Sequence, residues 1–159
     1  MSAMTDRLEN CLIDWMFRAQ AANNANNGIT GAGGAAGPAT LYVALFTTSP
    51  SDISAGVEVT GGAYARKSVT SSLANWAGTQ AAGSTTFSSG TSGTTSNNIV
   101  LDFPAPTANW GVITSFGIFD AATSGNLLVY GQLTTSKTVN NGDAAPSFAA
   151  AALSFQIDN

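Results

Sequence analysis

The sequence predicts a mainly β fold: an antiparallel β-sandwich, jelly-roll-like, of about eight strands, with one N-terminal amphipathic helix. Three observations predict it. After residue 40 the apolar residues recur with a period of two, in short runs separated by Gly-, Pro-, Asn- and Ser-rich turns. No helical pattern interrupts these runs, which favours antiparallel sheets over an alternating α/β fold. Before residue 22 the apolar residues recur with the period of a helix. A chain of 159 residues is long enough to bury a core without disulfides or metals.

The first 22 residues predict the helix. Its apolar stripe recurs at three- and four-residue spacing, at Met4, Leu8, Cys11, Leu12, Trp15 and Met16. The polar residues Asp6, Glu9, Asn10 and Asp14 lie off that stripe. Ser2 or Thr5 can cap the first turn, and Arg18 suits the last turn. We expect the helix to end between residues 21 and 24, where an Asn-rich run begins.

A run of small, flexible residues follows the helix at 23–37, and Pro38 closes it. The expected organisation is therefore an N-terminal arm at 1–22, a flexible linker at 23–38 and a β-sandwich domain at 39–159. The arm would be tethered to the body that follows it.

The first half of the sandwich begins with a strand at 40–48, which is apolar on both faces and is therefore expected to be buried on both sides or covered by the helix. Residues 57–60 and 63–70 predict two strands around a Gly-Gly turn. Residues 84–89 predict a weak strand, and the Gly- and Ser-rich residues 90–98 predict a loop.

The second half predicts four strands, at residues 99–103, 110–120, 127–133 and 147–157. The turn at 121–126 joins the middle two into the strongest hairpin signal of the chain. An Asn-Gly turn lies within 137–143. The alanines at 149–152 are compatible with a helix, but the flanking aromatic and β-branched residues favour a strand.

The charge pattern excludes several classes of partner. Charged residues make up 9% of the chain and the net charge is −4, whereas about 25% is usual for a soluble domain. No more than two basic residues are adjacent, so we expect no nucleic-acid partner. No apolar run approaches the ~20 residues of a membrane span, and no signal peptide is visible. A neutral surface of small polar groups suits packing against copies or partners.

The residue types of common active sites are missing or scattered. The chain has no histidine, which removes the usual Ser/His and Cys/His pairs. Cys11 is the single cysteine, so no internal disulfide can form, and its apolar neighbours predict an inert, buried thiol. The acids lie singly along the chain, without the spacing of a metal site. We expect no catalytic residues, no metal, no cofactor and no enzymatic activity.

An ordered series of segments resembles a known family. The series comprises LENCLIDWMFR (8–18), LYVALFTTSPSD (41–52), GVEVTGGAYARKSVT (56–70), the long segment 96–143 and the closing segment 147–158. Together they resemble a family of small tailed-bacteriophage virion proteins, which are often labelled tail-fibre proteins. Related small proteins act as capsid decoration, or cement, proteins. No catalytic residues come with this resemblance.

The resemblance implies a capsid decoration protein on the outer surface of the virion. Its partners would be the major capsid protein, whose subunits it would bridge, and itself, as a dimer or trimer. The stripe of Leu8, Leu12, Trp15 and Met16 could dock on a neighbour or could cover the chain's own sandwich. Trp76, whose neighbours are polar, completes the candidate interface residues.

The resemblance also leaves an alternative. The chain could be a tail-fibre or tail-adaptor component that binds other tail proteins or host glycans. The loops at 71–98 and 121–126 would then carry that binding.

Overall fold

The computed structural model describes residues 4–157, in which one helix precedes nine strands. The elements are α1 (Asp6–Arg18), β1 (Thr40–Thr48), β2 (Val57–Glu58), β3 (Lys67–Thr70), β4 (Thr94–Ser96), β5 (Leu101–Asp102), β6 (Gly111–Phe119), β7 (Leu127–Val139), β8 (Ser147–Phe148) and β9 (Ser154–Gln156). This confirms the mainly β fold with one N-terminal helix. Over the same residues, no helix is long and apolar enough to span a membrane.

The strands form one five-stranded sheet and two small ones. The large sheet has the order β2-β1-β6-β7, with β3 also paired to β1, while β4 pairs with β9 and β5 with β8. The pairs β1–β2, β1–β6, β6–β7 and β4–β9 are all antiparallel. Antiparallel sheets with this strand content are consistent with the predicted sandwich.

The chain divides into two compact units. Unit one contains Met1–Ala39, Thr70–Leu101 and Phe148–Asn159, and unit two contains Thr40–Val69 and Asp102–Ser147. Helix α1 belongs to unit one, together with the small sheet β4–β9. The predicted boundaries at residues 22 and 38 stay predictions.

Helix α1 ends earlier than predicted. Ala19 adopts the left-handed conformation (φ 54°, ψ 32°), and the amide of Gln20 donates to the carbonyl of Asp14 at 2.9 Å. This closure ends the helix at Arg18, so the predicted end at 21–24 is wrong. Thr5 occupies the N-cap with an extended backbone, but its side chain forms no capping hydrogen bond. Ser2, the other predicted cap, lies outside the described residues.

The predicted strand at 84–89 is also wrong. These residues form no strand, and β4 (Thr94–Ser96) lies instead within the segment predicted as a loop. The reason is that the polar groups of 84–89 bind side chains of α1 rather than another strand. The amide of Ser88, for example, donates to the carboxylate of Asp14 at 3.0 Å.

The closing strand is broken in two. Residues 149–152 form a turn between β8 and β9, in which Ala151 has a φ of 63°. The side chain of Asn97 stabilises this turn, because it donates to the carbonyl of Ala149 at 2.7 Å and accepts from the amide of Leu153 at 2.9 Å. The sequence between residues 147 and 157 does not indicate that a distant asparagine forms hydrogen bonds with the backbone of this segment.

The other strands lie where the sequence predicts them. β1 matches residues 40–48, and its core residues are buried on both faces, as expected. β7 continues to Val139, beyond the predicted end at 133, because its pairing with β6 is interrupted after Gln132 and resumes at Lys137. The Asn-Gly turn follows β7, with Gly142 at a φ of 80°. β2, β3 and β5 are shorter than predicted.

In the large sheet, the Phe46 ring packs directly against the backbone of Gly117. Phe46 of β1 stacks on Phe119 of β6, with ring centroids 6.2 Å apart. A Cβ on Gly117 would approach the Phe46 ring to 2.8 Å, so only glycine leaves room for it.

Candidate functional site

The predicted helix stripe is only partly buried. Leu8, Leu12, Trp15 and Met16 are each half-buried. The fully buried residues are instead Glu9, Asn10, Cys11, Ile13, Asp14, Phe17 and Arg18. Three of these, Glu9, Asn10 and Asp14, are polar residues that the sequence places off the stripe, whereas Cys11 belongs to the stripe. An interface role for the half-buried stripe stays a prediction.

Trp76 lies in the interior of unit one. Its side chain is 0% exposed and packs edge-on against Phe17, with ring centroids 5.2 Å apart. Phe17 also contacts Phe155 of β9 at 4.4 Å between centroids. Trp76 therefore presents no surface to a partner in this conformation, although its polar neighbours suggest exposure.

A buried ion pair explains why the polar face of α1 turns inward. Arg18 and Asp14 are both 0% exposed, and their nearest nitrogen and oxygen lie 2.6 Å apart. The Arg18 guanidinium also donates to the carbonyls of Trp76 at 3.0 Å and Thr86 at 2.5 Å, and to Ser88 Oγ at 3.2 Å. One side chain thus holds three points of the 76–88 segment against the helix.

The carboxylate of Asp14 is equally well satisfied. It accepts from the hydroxyl of Ser88 at 2.7 Å and from the side-chain amide of Asn27 at 2.9 Å. Burial lowers the pKa of the Arg18 guanidinium, and the charge and hydrogen bond of Asp14 act in the opposite direction. The spacing of four residues between Asp14 and Arg18 is typical of an ion pair on one face of a helix. Such pairs usually lie at the surface, so the spacing does not indicate that this one is buried.

A second network ties together unit two. Arg66 donates to Glu58 through Nε at 2.8 Å and through NH2 at 2.7 Å, while Tyr64 donates to the same carboxylate at 3.0 Å. The Arg66 guanidinium also lies 3.5 Å above the centre of the Phe119 ring. Burial is the main reason that the pKa of Tyr64 lies above its ordinary value.

Arg66 also fixes the loop after β6. Its NH1 donates to the carbonyls of Ala121 at 2.9 Å and Ser124 at 2.8 Å. The carboxylate of Asp120 accepts from the backbone and side-chain nitrogens of Asn126, and these hydrogen bonds lower the pKa of Asp120. Residues 122–126 are exposed. The candidate loop at 121–126 is therefore accessible to a partner, and Arg66 holds its backbone. In the other candidate loop, at 71–98, several polar residues are buried within unit one.

Unit two also exposes an apolar patch that sequence reasoning missed. We define the β7 patch as Ile53, Leu128 and Tyr130 together with Asp52, whose carboxylate accepts from the Tyr130 hydroxyl at 2.9 Å. Ile53 is 99% exposed and Tyr130 is 40% exposed. A surface pocket of ≈ 410 Å³ is lined in part by the residues of this patch. The patch suits contact with another protein.

The metal-ligating side chains of the described residues lie apart from one another. Between residues 4 and 157, no three His, Cys, Asp or Glu side chains come together in a way that could hold a metal ion. Burial raises the pKa of the Cys11 thiol, which donates to the carbonyl of Ala22 at 3.4 Å. The ≈ 290 Å³ pocket of unit one is lined by Ala, Gly, Ser, Thr and Gln residues without a charge.

Comparison with known proteins places the chain in a family. A family described as "Podophage GP4 fiber I protein gp80" matches residues 3–156. No curated protein matches the chain. The match supports the predicted resemblance to phage virion proteins, without distinguishing capsid decoration from a fibre role. The chain therefore belongs to the podophage GP4 fiber I protein gp80 family, a family of phage virion structural proteins.

Proposed function

We propose that this protein is a non-enzymatic fibre component of a phage virion, which works by holding contacts with other virion proteins. The family match over residues 3–156 carries the proposal, because the matched family is described as a fibre protein. This favours the tail-fibre alternative over the capsid decoration role that the sequence first suggested.

The buried Arg18 network and the partly buried Arg66 network support a role in transmitting force. Arg18 in unit one and Arg66 in unit two each bind backbone carbonyls of segments distant in sequence. Charged hydrogen bonds of this kind are roughly twice as strong as neutral ones. They hold the loops of each unit in one conformation, as a protein that must transmit force needs.

The surface supports binding to proteins rather than to nucleic acid or membrane. Only 9% of the residues are charged, and the net charge is −4. The β7 patch adds exposed apolar groups at one place of unit two. We therefore propose other virion proteins and further copies of this chain as the partners, and no nucleic acid or membrane.

The absence of histidine and the scattered acids support the non-enzymatic part of the proposal. A lysis assay with the purified protein on host cell walls should show no activity above a blank. Activity that is lost on replacing one acid by its amide would overturn this part.

Copy number per particle tests the proposal. Quantitative mass spectrometry of purified virions should find a small number of copies, in fixed ratio to the tail proteins. Hundreds of copies, in fixed ratio to the major capsid protein, would overturn the fibre role and support capsid decoration. A particle preparation stripped of tails provides the control, since the chain should disappear with the tails.

A further inference from the structure

We propose that the turn after β7 carries a site of spontaneous covalent modification, at which Asn141 loses its side-chain amide and becomes an aspartyl or isoaspartyl residue. The chain contains two Asn-Gly pairs, Asn27-Gly28 in unit one and Asn141-Gly142 in unit two. A glycine after an asparagine leaves its backbone nitrogen open to attack the asparagine side chain, because it has no Cβ to block the approach. The surroundings of the two pairs distinguish them.

Asn27 is held in the interior of unit one. It is 5% exposed, and its side-chain nitrogen donates to the carboxylate of Asp14 at 2.9 Å and to the carbonyl of Ser88 at 3.2 Å. Its side-chain oxygen accepts from the side chain of Asn24 at 2.9 Å. The carbon that would be attacked is thus fixed by three hydrogen bonds. A reaction at Asn27 requires that these bonds break first, which is a local unfolding step.

Asn141 has the opposite environment. Asn141 and Gly142 are both exposed, in a turn that is closed by the amide of Asp143 donating to the carbonyl of Asn140 at 3.2 Å. The side chain of Asn141 forms no hydrogen bond with any residue that the structure describes. It is therefore free to rotate toward the backbone nitrogen of the next residue.

The glycine amide, which acts as the nucleophile, is hydrogen-bonded in both pairs. The Gly142 amide donates to the carbonyl of Pro106 at 3.1 Å, and the Gly28 amide donates to the carbonyl of Asn24 at 3.0 Å. Since the two amides are bound alike, they do not decide which pair reacts. The difference lies in the asparagine side chains. The bond to Pro106 slows the reaction at Gly142 relative to an unfolded chain, and local opening of this exposed turn releases it.

The reaction balances with water as the only other reactant. The Gly142 nitrogen attacks Cγ of Asn141, the new N–Cγ bond closes a succinimide ring, and the Cγ–Nδ2 bond breaks. The side-chain nitrogen leaves as ammonia with the proton that the Gly142 nitrogen gives up. Water then opens the ring: cleavage of the N–Cγ bond gives an aspartyl residue, and cleavage of the original peptide bond gives an isoaspartyl residue. Either product adds one negative charge to the net charge of −4.

The isoaspartyl product disturbs the hydrogen bonds of the turn. The Asn141 amide donates to the side chain of Asn109 at 2.8 Å, and the Gly142 amide holds the carbonyl of the buried Pro106. The isoaspartyl backbone has one more carbon between these two amides, so both bonds cannot keep their geometry. Residues 104–109 of unit two therefore lose part of their attachment to the turn.

Peptide mapping by mass spectrometry of the folded chain, incubated at a series of pH values, tests the proposal. Modification should appear at Asn141 and should be at least about 10-fold slower at Asn27, because several buried hydrogen bonds must break there. The rate at Asn141 should rise with pH, since the attacking nitrogen of Gly142 must give up its proton. Incubation of the chain unfolded in urea should remove the difference between the two sites.

Asn141→Gln provides the matched control, because its side chain is one methylene longer and closes the ring far less readily. It should show no modification at this site and the same slow rate at Asn27. Hydrogen exchange of residues 104–109 should become faster as the unmodified chain ages and should stay constant in Asn141→Gln. The proposal is overturned if the two sites react equally in the folded chain, if Asn141 stays intact while both sites react in urea, or if ageing leaves the exchange unchanged.

Discussion

Arg18 and Asp14 show how single residues decide the packing of unit one. Both are fully buried, and their bonds reach Trp76, Thr86, Ser88 and Asn27. Burying two charges costs several kcal/mol each, which only good geometry and further hydrogen bonds offset. The network therefore contributes more to specifying which face of α1 turns inward than to net stability. The apolar stripe of the helix remains half-exposed as a result.

Replacing one member of the Asp14–Arg18 pair should lower the free energy of unfolding more than replacing both. Arg18→Met leaves the Asp14 carboxylate buried without its ion pair and should lower the free energy of unfolding by about 3–5 kcal/mol. The double variant Asp14→Leu/Arg18→Met should lose less than Arg18→Met alone. Urea unfolding followed by tryptophan fluorescence measures both.

Arg7→Met provides the control for that series, because Arg7 is exposed and its side chain donates to the carbonyl of Gly28. It should change the free energy of unfolding by less than ~1 kcal/mol. A double variant as unstable as Arg18→Met, or an Arg18→Met variant as stable as Arg7→Met, would contradict the account.

Asp120 offers a test of the loop after β6 by pH. Its pKa is lowered, first by the side chain of Asn126 and then by the Asn126 amide. Stability from this ionised group is therefore present above the ordinary Asp pKa of ~3.9 and is lost as the pH falls through the lower value in the folded protein.

An NMR titration should find the midpoint of Asp120 below that of an ordinary Asp. In Asn126→Ala the midpoint should rise toward the ordinary value, because the side-chain hydrogen bond is gone while the backbone bond remains. The unmodified chain, titrated under the same conditions, is the control. An unchanged Asp120 midpoint in Asn126→Ala would refute the assigned cause.

At the scale of elements, local runs of strand-forming residues predict β1, β6 and the start of β7. Burial alternates along the start of β7, whereas β1 and the second half of β6 are buried on both faces. The same reasoning fails where distant side chains bind the backbone. Residues 84–89 form hydrogen bonds with Arg18 and Asp14, and the side chain of Asn97 forms hydrogen bonds with the turn between β8 and β9. No local pattern encodes such contacts. The β7 patch escaped notice for the same reason, since the loop that carries Ile53 lies beside β7 only in the folded chain.

The pairing of β6 with β7 depends on one glycine. Gly131 lies opposite Phe116, and an added Cβ would come within 2.8 Å of two carbons of the Phe116 ring. Gly131→Ala should therefore lower the free energy of unfolding by about 1–3 kcal/mol. Gly33→Ala is the control, because no atom lies within 4 Å of its added Cβ and its φ is not positive. Equal stability of the two variants in thermal unfolding would contradict this packing.

At the scale of the whole molecule, the chain is a phage virion structural protein in which two arginines bind the backbone of distant loops and in which 9% of the residues are charged. The family membership and the β7 patch both point to a protein that works through contacts with other proteins. The central claim is that those contacts are made in a fibre and not across the capsid shell.

Cryo-electron microscopy of virions carrying a tagged copy of this chain tests that claim most directly. A label fused after residue 159, with the untagged virion as the control, should give added density only on a fibre or on its attachment point. Added density repeated over the capsid surface, with none on a fibre, would contradict the account.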